Sequence, residues 1–130
     1  MSRKRQPKLK PGEPRRLPLE HKSVTRKLHL DNLEGYVIAG LYEDGTVGEI
    51  FLTFDRVGST ERGLLNSLAV VISKALQRGV PLAVIVDSLR GQVFNPAGFI
   101  EGDPDGIKSA TSIVDLLAKW LSCRFLKEKL

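Results

Sequence analysis

Residues 35–54 read GYVIAGLYEDGTVGEIFLTF, and this stretch decides the predicted fold. Two segments rich in β-branched and aromatic residues, 36–42 and 48–54, flank the polar sequence EDGT. Such segments are typical of β-strands, and Asp44-Gly45 favours a tight hairpin turn because glycine adopts positive φ angles at little cost. The stretch therefore predicts two antiparallel strands, although its acidic residues leave a substrate loop and a metal loop as alternatives.

The segment before the hairpin adds a third strand to the prediction. Residues 23–30 read SVTRKLHL, whose odd-numbered positions are polar and whose even-numbered positions share the opposite face. A period of two is typical of a strand that buries one side. With residues 31–35 as a turn, the sequence predicts a three-stranded antiparallel meander.

The sequence after the hairpin changes to a helical period. Apolar residues recur at intervals of three and four between positions 64 and 76, and Ser59 or Thr60 is predicted to cap this helix. The same Gly-Ser-Thr start also suits weak phosphate binding, although capping is the preferred interpretation. Gly79 is predicted to end the helix.

Two further helices complete the predicted fold. Pro81 suits the first turn of a second helix, and residues 90–106 form a long irregular loop. A third helix is predicted from about Lys108, with Trp120 on its buried face. The predicted fold class is therefore α+β: a three-stranded antiparallel meander followed by three helices, with an extended basic N-terminal arm.

The charge distribution separates this arm from the body. Residues 1–27 hold ten of the twenty basic residues and two of the fifteen acidic ones, which gives the segment a net charge of +8. Four of the seven prolines lie in the first twenty residues, and they disfavour both helix and central strand. We predict a flexible basic arm over residues 1–22 and a single α+β domain over residues 23–130.

A cationic arm is suited to binding nucleic acid through its phosphates, because each contact releases counterions. The alternatives are a solvated tail that keeps the protein soluble and a linker left by a larger ancestor. The candidate residues for contact with DNA, RNA or another anion are Arg3, Lys4, Arg5, Lys8, Lys10, Arg15, Arg16, Lys22, Arg26 and Lys27.

The remaining reactive side chains favour structural roles, and no catalytic residue or metal ligand is assigned. The pairs Glu43-Asp44 and Asp103-Asp105 fit turns, and the histidines His21 and His29 are too few for a zinc site. Cys123, the single cysteine, excludes an intrachain disulfide and is consistent with a reducing cytoplasm. The chain has no membrane-spanning stretch or secretory signal, so we expect it in the cytoplasm without membrane partners.

Three long stretches together resemble a known family. They read GYVIAGLYEDGTVGEIFLTFDRVGST, LAVVISKALQRGVPLAVIVDSLRGQVFNPAGF and DPDGIKSATSIVDLLAKWL. They are similar to the C-terminal, TSCPD-like region of adenosylcobalamin-dependent (class II) ribonucleotide reductases. The matching positions that the resemblance identifies as structural are Gly35, Tyr42, Asp44, Gly45, Gly48, Glu49, Gly58, Ser59, Gly79, Pro81, Phe94, Pro96, Gly98, Asp103, Pro104, Asp115 and Trp120.

The resemblance implies a domain without its own chemistry. In the family, the catalytic barrel carries the radical cysteine and binds adenosylcobalamin, so we expect no cofactor on this chain. The implied function is a non-catalytic accessory or interaction domain, acting as a separate subunit or regulator in deoxyribonucleotide synthesis. Its implied partner is a ribonucleotide reductase large chain. The alternatives are a small nucleic-acid-associated protein and, with the least support from the residues, an autonomous enzyme.

Overall fold

The computed structural model describes residues 10–128 and confirms the α+β class. The strands of the main sheet are β1 (Ser23–Leu30), β2 (Leu33–Leu41) and β3 (Val47–Phe54), followed by helices α1 (Ser59–Gln77) and α2 (Leu82–Leu89). The chain continues through the short strands β4 (Gly98–Phe99) and β5 (Ser109–Ala110) to helix α3 (Ile113–Phe125). The predicted meander followed by three helices is therefore correct, whereas residues 1–9 of the predicted arm lie outside the described residues.

The main sheet is antiparallel with the strand order β1-β2-β3. The turn between β2 and β3 closes as predicted, because Gly45 has a φ angle of 86° and the Tyr42 amide donates to the Thr46 carbonyl at 2.8 Å. The predicted turn over residues 31–35 is too long. Only Asp31 and Asn32 connect β1 to β2, and Asp31 adopts the left-handed φ of 54° that such a tight connection requires.

One face of the sheet carries the core and the helices cover it. Helix α1 packs on β3, α3 packs on β1, and α2 packs on α3. The largest side chains with less than 2% exposure include Trp120, Leu28, Leu30, Ile50, Ile107, Leu116, Leu117 and Leu121. The opposite face of the sheet is only partly covered and leaves Phe51 about half exposed.

Helix α1 also covers the outer edge of the sheet. The Ile50 amide donates to the Ser73 hydroxyl at 2.8 Å, and the Gln77 side chain donates to the Gly48 carbonyl at 3.1 Å. Ser73 and Gln77 are four residues apart in the helix, and Ile50 and Gly48 are two residues apart in the strand. Both separations are about 6 Å, so each side chain reaches its own backbone group of β3. These bonds satisfy backbone groups at an edge that would otherwise be open to another strand.

The predicted helix starts need two corrections. Gly58, not Ser59 or Thr60, is the N-cap of α1, and no side chain caps this end by a hydrogen bond. A Cβ atom on Gly58 would lie 2.2 Å from a carboxylate oxygen of Glu61, so the glycine leaves room for that carboxylate at the helix start.

The third helix begins at Ile113 rather than near Lys108. Ser112 is its N-cap and accepts a hydrogen bond from the Asp115 amide at 3.0 Å. The residues just before it are not helical because Ser109–Ala110 pairs with Gly98–Phe99. Part of the segment predicted as an irregular loop is thus a small second sheet.

Candidate functional site

The hairpin quoted above forms a receiving surface for the segment before β1. Four of its residues, Tyr42, Asp44, Gly48 and Glu49, contact that segment, and we call them the arm-docking surface. The Tyr42 hydroxyl donates to the Arg15 carbonyl at 2.6 Å. The Arg15 guanidinium lies 3.6 Å from the centre of the Tyr42 ring, which is a cation–π contact.

Asp44 holds the turn and the arm at the same time. It accepts hydrogen bonds from the Thr46 amide at 3.0 Å and from the Thr46 hydroxyl at 2.6 Å, and it lies 3.5 Å from the Arg15 guanidinium. The hydrogen bond from the Thr46 side chain is the main cause of a lowered Asp44 pKa, and Arg15 adds to the effect. Asp44 therefore stays ionised and paired over the ordinary pH range.

Two glycines shape the docking surface. A Cβ atom on Gly48 would lie 2.7 Å from the Tyr42 ring and 3.0 Å from Leu17 of the arm. A Cβ atom on Gly40, which faces Glu49 across the strands, would lie 2.6 Å from the Glu49 side chain. Because neither glycine has a side chain, the Tyr42 ring, Leu17 and the Glu49 side chain lie close against the backbone.

The last contact of the surface is between Glu49 and His21. His21 Nε2 lies 2.8 Å from Glu49 Oε1, and His21 Nδ1 lies 2.8 Å from the Pro18 carbonyl. The bond to the Pro18 carbonyl and the bond to Glu49, in that order, raise the pKa of His21 above its ordinary value. Both interactions favour the protonated ring.

Backbone hydrogen bonds hold the two ends of the same segment. The Arg15 amide donates to the Gln77 carbonyl of α1 at 2.6 Å, and the Leu41 amide donates to the Lys22 carbonyl at 2.8 Å. Residues 15–22, which we call the docked arm, are therefore part of the surface of the domain. The predicted division of the chain at residue 22 stays a prediction.

A second set of contacts holds the chain between α2 and α3. Asp115, only 1% exposed, accepts from the Gly91 amide at 2.7 Å and the Thr111 amide at 3.0 Å, and it lies 3.1 Å from the Lys119 ammonium. Burial is the largest influence and would raise the pKa of Asp115, but these hydrogen bonds and Lys119 together hold the pKa below its ordinary value. The carboxylate therefore fixes both ends of the segment 91–111.

Asp103 has a similar role closer to β1. Its carboxylate accepts from the Asp105 amide at 3.0 Å and the Ile107 amide at 3.1 Å, and it forms a short hydrogen bond with Arg26. Arg26 also lies 3.3 Å from the Asp105 carboxylate. The Asp-Pro-Asp-Gly turn is thus tied to the first strand by one arginine.

A surface groove lies beside this turn. It has a volume of about 680 Å³ and lies between β1 and the segment 99–104. Phe99, on one wall, is 93% exposed, and Leu116 of α3 also lines the groove. The groove thus combines an exposed aromatic ring with charged side chains of β1, Arg26 and Lys27.

The comparisons with known proteins identify the family. The TSCPD domain family matches residues 5–124. The chain belongs to the TSCPD domain family.

Curated relatives share the same domain within much longer chains. A vitamin B12-dependent ribonucleotide reductase of Rhodopirellula baltica is 40% identical over 111 residues, which is 85% of this chain and 10% of the relative. Reductases of the same name from Agrobacterium fabrum (36% identical, 88% of this chain, 9% of the relative) and Streptantibioticus cattleyicolor (37%, 86% and 18%) also match. The chain thus spans less than a fifth of the length of these relatives. No solved structure matches it significantly.

Three of the basic residues predicted to contact anions are used inside the TSCPD domain. Arg15 pairs with Asp44, Arg26 with Asp103 and Asp105, and Lys27 lies 3.8 Å from Glu34. Lys10, Arg16 and Lys22 are exposed, and Arg3, Lys4, Arg5 and Lys8 lie outside the described residues. The anion contacts themselves stay a prediction.

The other motif positions of the TSCPD domain lie at turns, helix ends and the core. Gly35 lies against the Phe54 ring, Gly79 has a φ angle of 92° just after α1, and Pro81 is the N-cap of α2. The Phe94 amide bonds to the Thr111 carbonyl at 3.1 Å. The remaining positions are Gly45 in the hairpin, Gly58 and Ser59 at the start of α1, Pro96, Gly98 and Pro104 between α2 and α3, and Trp120 in the core.

Residues 10–128 of the TSCPD domain contain no group of three or more His, Cys, Asp or Glu side chains placed to bind a metal ion. No helix in this part has the length and apolar character of a membrane span. Burial is the first cause of a raised Cys123 pKa, and the carboxylates of Asp105 and Asp103 add to it. The Cys123 thiol is therefore protonated at neutral pH.

Sequence reasoning missed the residues that complete these contacts. Ser73, Gln77 and Lys119 were not singled out, Gly40 was noted only as a glycine near the hairpin, and His21 was considered only for zinc binding or Ser-His-Asp catalysis. For Ser73 and Gln77 a sequence pattern existed, since two polar residues four apart interrupt an apolar helix face. For Gly40 the pattern is visible only once the strand register places it opposite Glu49.

Proposed function

We propose that this TSCPD domain is a non-catalytic accessory or interaction domain in deoxyribonucleotide synthesis, which acts as a separate subunit or regulator by binding a reductase large chain. The relatives that support this proposal are vitamin B12-dependent ribonucleotide reductases, in which the domain makes up a small share of the chain. The catalytic residues and the adenosylcobalamin site belong to the partner in this proposal.

The proposal rests mainly on the contacts that the family-motif residues make in the structure. Tyr42, Gly48 and Glu49 hold the docked arm, and Asp103 and Asp115 hold the segment between α2 and α3. All five residues contact other parts of the domain and hold its irregular segments in place. A domain of fixed shape loses less ordering entropy on association, which favours binding to a partner.

The groove beside Phe99 is the proposed contact with the reductase chain. Phe99 is 93% exposed, and the nearby Val93 of the same segment is 77% exposed. A few residues carry most of the binding energy of an interface, and buried aromatic anchors are common among them. The segment that carries Phe99 is held by Asp103 and Asp115, so the ring is presented on a supported backbone.

The test measures binding of the purified TSCPD domain to the reductase large chain of the same organism. We expect Phe99→Ser to weaken binding about 30-fold, the loss of about 2 kcal/mol that marks a central interface residue. Phe51→Ser is the matched control, because Phe51 is also an exposed phenylalanine but lies on the open face of the sheet, 52% exposed. Equal affinities for the two variants would rule out the groove, and a wild-type domain that binds no reductase chain would rule out the accessory role.

The position of the cofactor has a separate test. Equilibrium dialysis of the domain against adenosylcobalamin is expected to show no binding, whereas the large chain with its cofactor should retain the colour of the corrin. Stoichiometric binding of the cofactor by the isolated domain would contradict the proposed division of roles. A cytoplasmic location is part of the same proposal, since deoxyribonucleotide synthesis needs reducing equivalents from that compartment.

Nucleic-acid binding through the arm stays the alternative prediction. Its support is weaker than the sequence suggested, because Arg15, Arg26 and Lys27 pair with carboxylates of the domain. It predicts an affinity for single-stranded DNA that falls steeply with salt and does not depend on base sequence. Equal binding by a chain that begins at residue 23 would contradict it.

A further inference from the structure

We infer that His21 is a protonation-dependent latch, which holds the docked arm on the hairpin when both ring nitrogens carry a proton and loosens it when one proton leaves. The inference rests on the contacts of the arm and is independent of the proposed reductase partner.

The geometry of the ring requires two protons. Both partners of His21, the Pro18 carbonyl and the Glu49 carboxylate, are acceptors, and each lies 2.8 Å from a different ring nitrogen. A neutral imidazole has one N–H group, so it can donate to only one of these oxygens. Its other nitrogen would then place a lone pair against the lone pairs of an oxygen. Both hydrogen bonds therefore exist together only in the imidazolium form.

Glu49 belongs to β3, so its backbone is held in the sheet. Its side chain lies across Gly40, whose missing Cβ atom would stand 2.6 Å from Glu49 Cγ. The Glu49 and His21 side chains are 20% and 23% exposed, so both lie partly out of the solvent. The missing Cβ atom of Gly40 therefore leaves the space in which the Glu49 side chain lies beside the arm.

Glu49 is the charged group that faces the ring from the sheet. The other titratable groups of the arm-docking surface, Tyr42 and Asp44, contact Arg15, and α1 contributes the neutral Gln77 carbonyl to the same residue. Within the arm itself, the charged neighbours of His21 in sequence, Glu20 and Lys22, are both exposed. Among residues 10–128, the charged pair that includes the His21 ring is therefore His21–Glu49.

The sign of the pH dependence follows from the raised pKa of His21. The ordinary pKa is 6.5, and the bonds to the Pro18 carbonyl and to Glu49 raise it in the docked state. The stabilisation of the docked state is complete below pH 6.5 and is lost as the pH rises through the raised pKa. The arm is thus held most firmly under mildly acidic conditions, and above that range one of the two His21 bonds is lost, while the Arg15 contacts, the Leu17 packing and the backbone bonds remain.

The test follows the arm and the ring in one sample by NMR between about pH 5 and pH 8. The amide signals of residues 15, 17 and 21 are expected to shift with the same midpoint as the His21 ring. Glu49→Gln should lower both midpoints together, because it removes the charge that favours the imidazolium. Glu34→Gln is the matched control: Glu34 lies 3.6 Å from His29, the other histidine, and its loss should leave the arm signals unchanged.

Three results would overturn the latch. The first is a His21 ring that titrates while the arm amides do not move. The second is a midpoint that is the same in Glu49→Gln and in the wild-type chain. The third is an arm midpoint that shifts equally in Glu34→Gln, which would show a general charge effect. Unchanged signals from core residues such as Leu28 and Val37 confirm that each variant is folded, and a His21→Gln variant should show arm signals that do not depend on pH.

Discussion

Substitution of Asp115 by alanine is expected to lower the free energy of unfolding by about 3–5 kcal/mol, the cost of removing one partner from a buried, hydrogen-bonded charge. The carboxylate accepts from the amides of Gly91 and Thr111 at 2.7 and 3.0 Å. Alanine leaves both donors without an acceptor, at about 1–3 kcal/mol each. The loss of the Asp115 carboxylate costs Lys119 less than it costs the two amides. The Lys119 ammonium also donates to the Ser109 carbonyl at 2.9 Å, and its side chain is 19% exposed.

Urea unfolding measures this loss through a reporter in the same helix. Trp120 is the only tryptophan and is 1% exposed, so its fluorescence follows the opening of the core. With a slope of about 2 kcal/mol/M, a loss of 4 kcal/mol moves the midpoint down by about 2 M. Asp87→Ala is the control, because Asp87 is an exposed residue of α2 and its loss should cost less than about 0.5 kcal/mol.

The pH dependence distinguishes the charge of Asp115 from its shape. Because its pKa is held below the ordinary value of 3.8, the carboxylate contributes stability above pH 3.8 that is lost as the pH falls through the lowered pKa. Asp115→Asn keeps the shape but turns an amide N–H towards a backbone donor. The stability difference between wild type and this variant should therefore shrink below pH 3.8. A midpoint for Asp115→Ala within experimental error of the Asp87→Ala control would refute the reasoning.

Three other substitutions separate glycine and arginine effects, each measured by the same urea titration. Gly63→Ala should stabilise the domain by about 0.5–1 kcal/mol, because Gly63 lies within helix α1 and a Cβ atom there meets nothing within 4 Å. Gly48→Ala should destabilise it by about 1–3 kcal/mol, because the new Cβ atom would lie 2.7 Å from the Tyr42 ring; an unchanged midpoint would contradict the close packing. Arg26→Met should cost about 1–3 kcal/mol by leaving the Asp103 carboxylate without its charged donor, and a change below 0.5 kcal/mol would show that the pair is replaced by water.

The sequence correctly predicted those elements that are specified by residues close together in the chain. The alternation in β1, the Asp44-Gly45 turn and the apolar period of α1 each lie within a few residues, and each predicted element is present. The start of α3 was predicted wrongly although a local pattern was present. Ser112 followed three residues later by Asp115 is an N-terminal capping pattern, and the apolar residues before it extended the helical period past this point.

The docked arm could not be predicted from the same kind of pattern. It belongs to the N-terminal stretch 1–22, whose proline-rich and basic composition is shared by disordered tails. Its contacts join residues far apart in the chain, since Arg15 and Tyr42 are 27 positions apart and His21 and Glu49 are 28 positions apart. Such pairs can be recognised only in the folded sheet, where the register of β2 and β3 places Gly40 and Gly48 next to the residues that contact the arm. The resemblance to the reductase family identified the receiving residues, but it did not identify what they receive.

The motif residues share one physical role, which is to hold irregular chain segments in place. A resemblance in these motifs therefore predicts the fold of the domain. Tyr42 and Glu49 hold irregular chain before the sheet, and Asp103 and Asp115 hold irregular chain between the last two helices. Irregular segments have backbone groups without partners in a helix or sheet, and side chains of the folded body can hold such segments by providing hydrogen-bond donors and acceptors. Glu49→Gln and Asp115→Ala should therefore act on different segments with additive effects on stability, because they share no partner. A coupling above about 1 kcal/mol between the two would mean that arm and loop form one cooperative unit, and the latch would then also control the surface around Phe99.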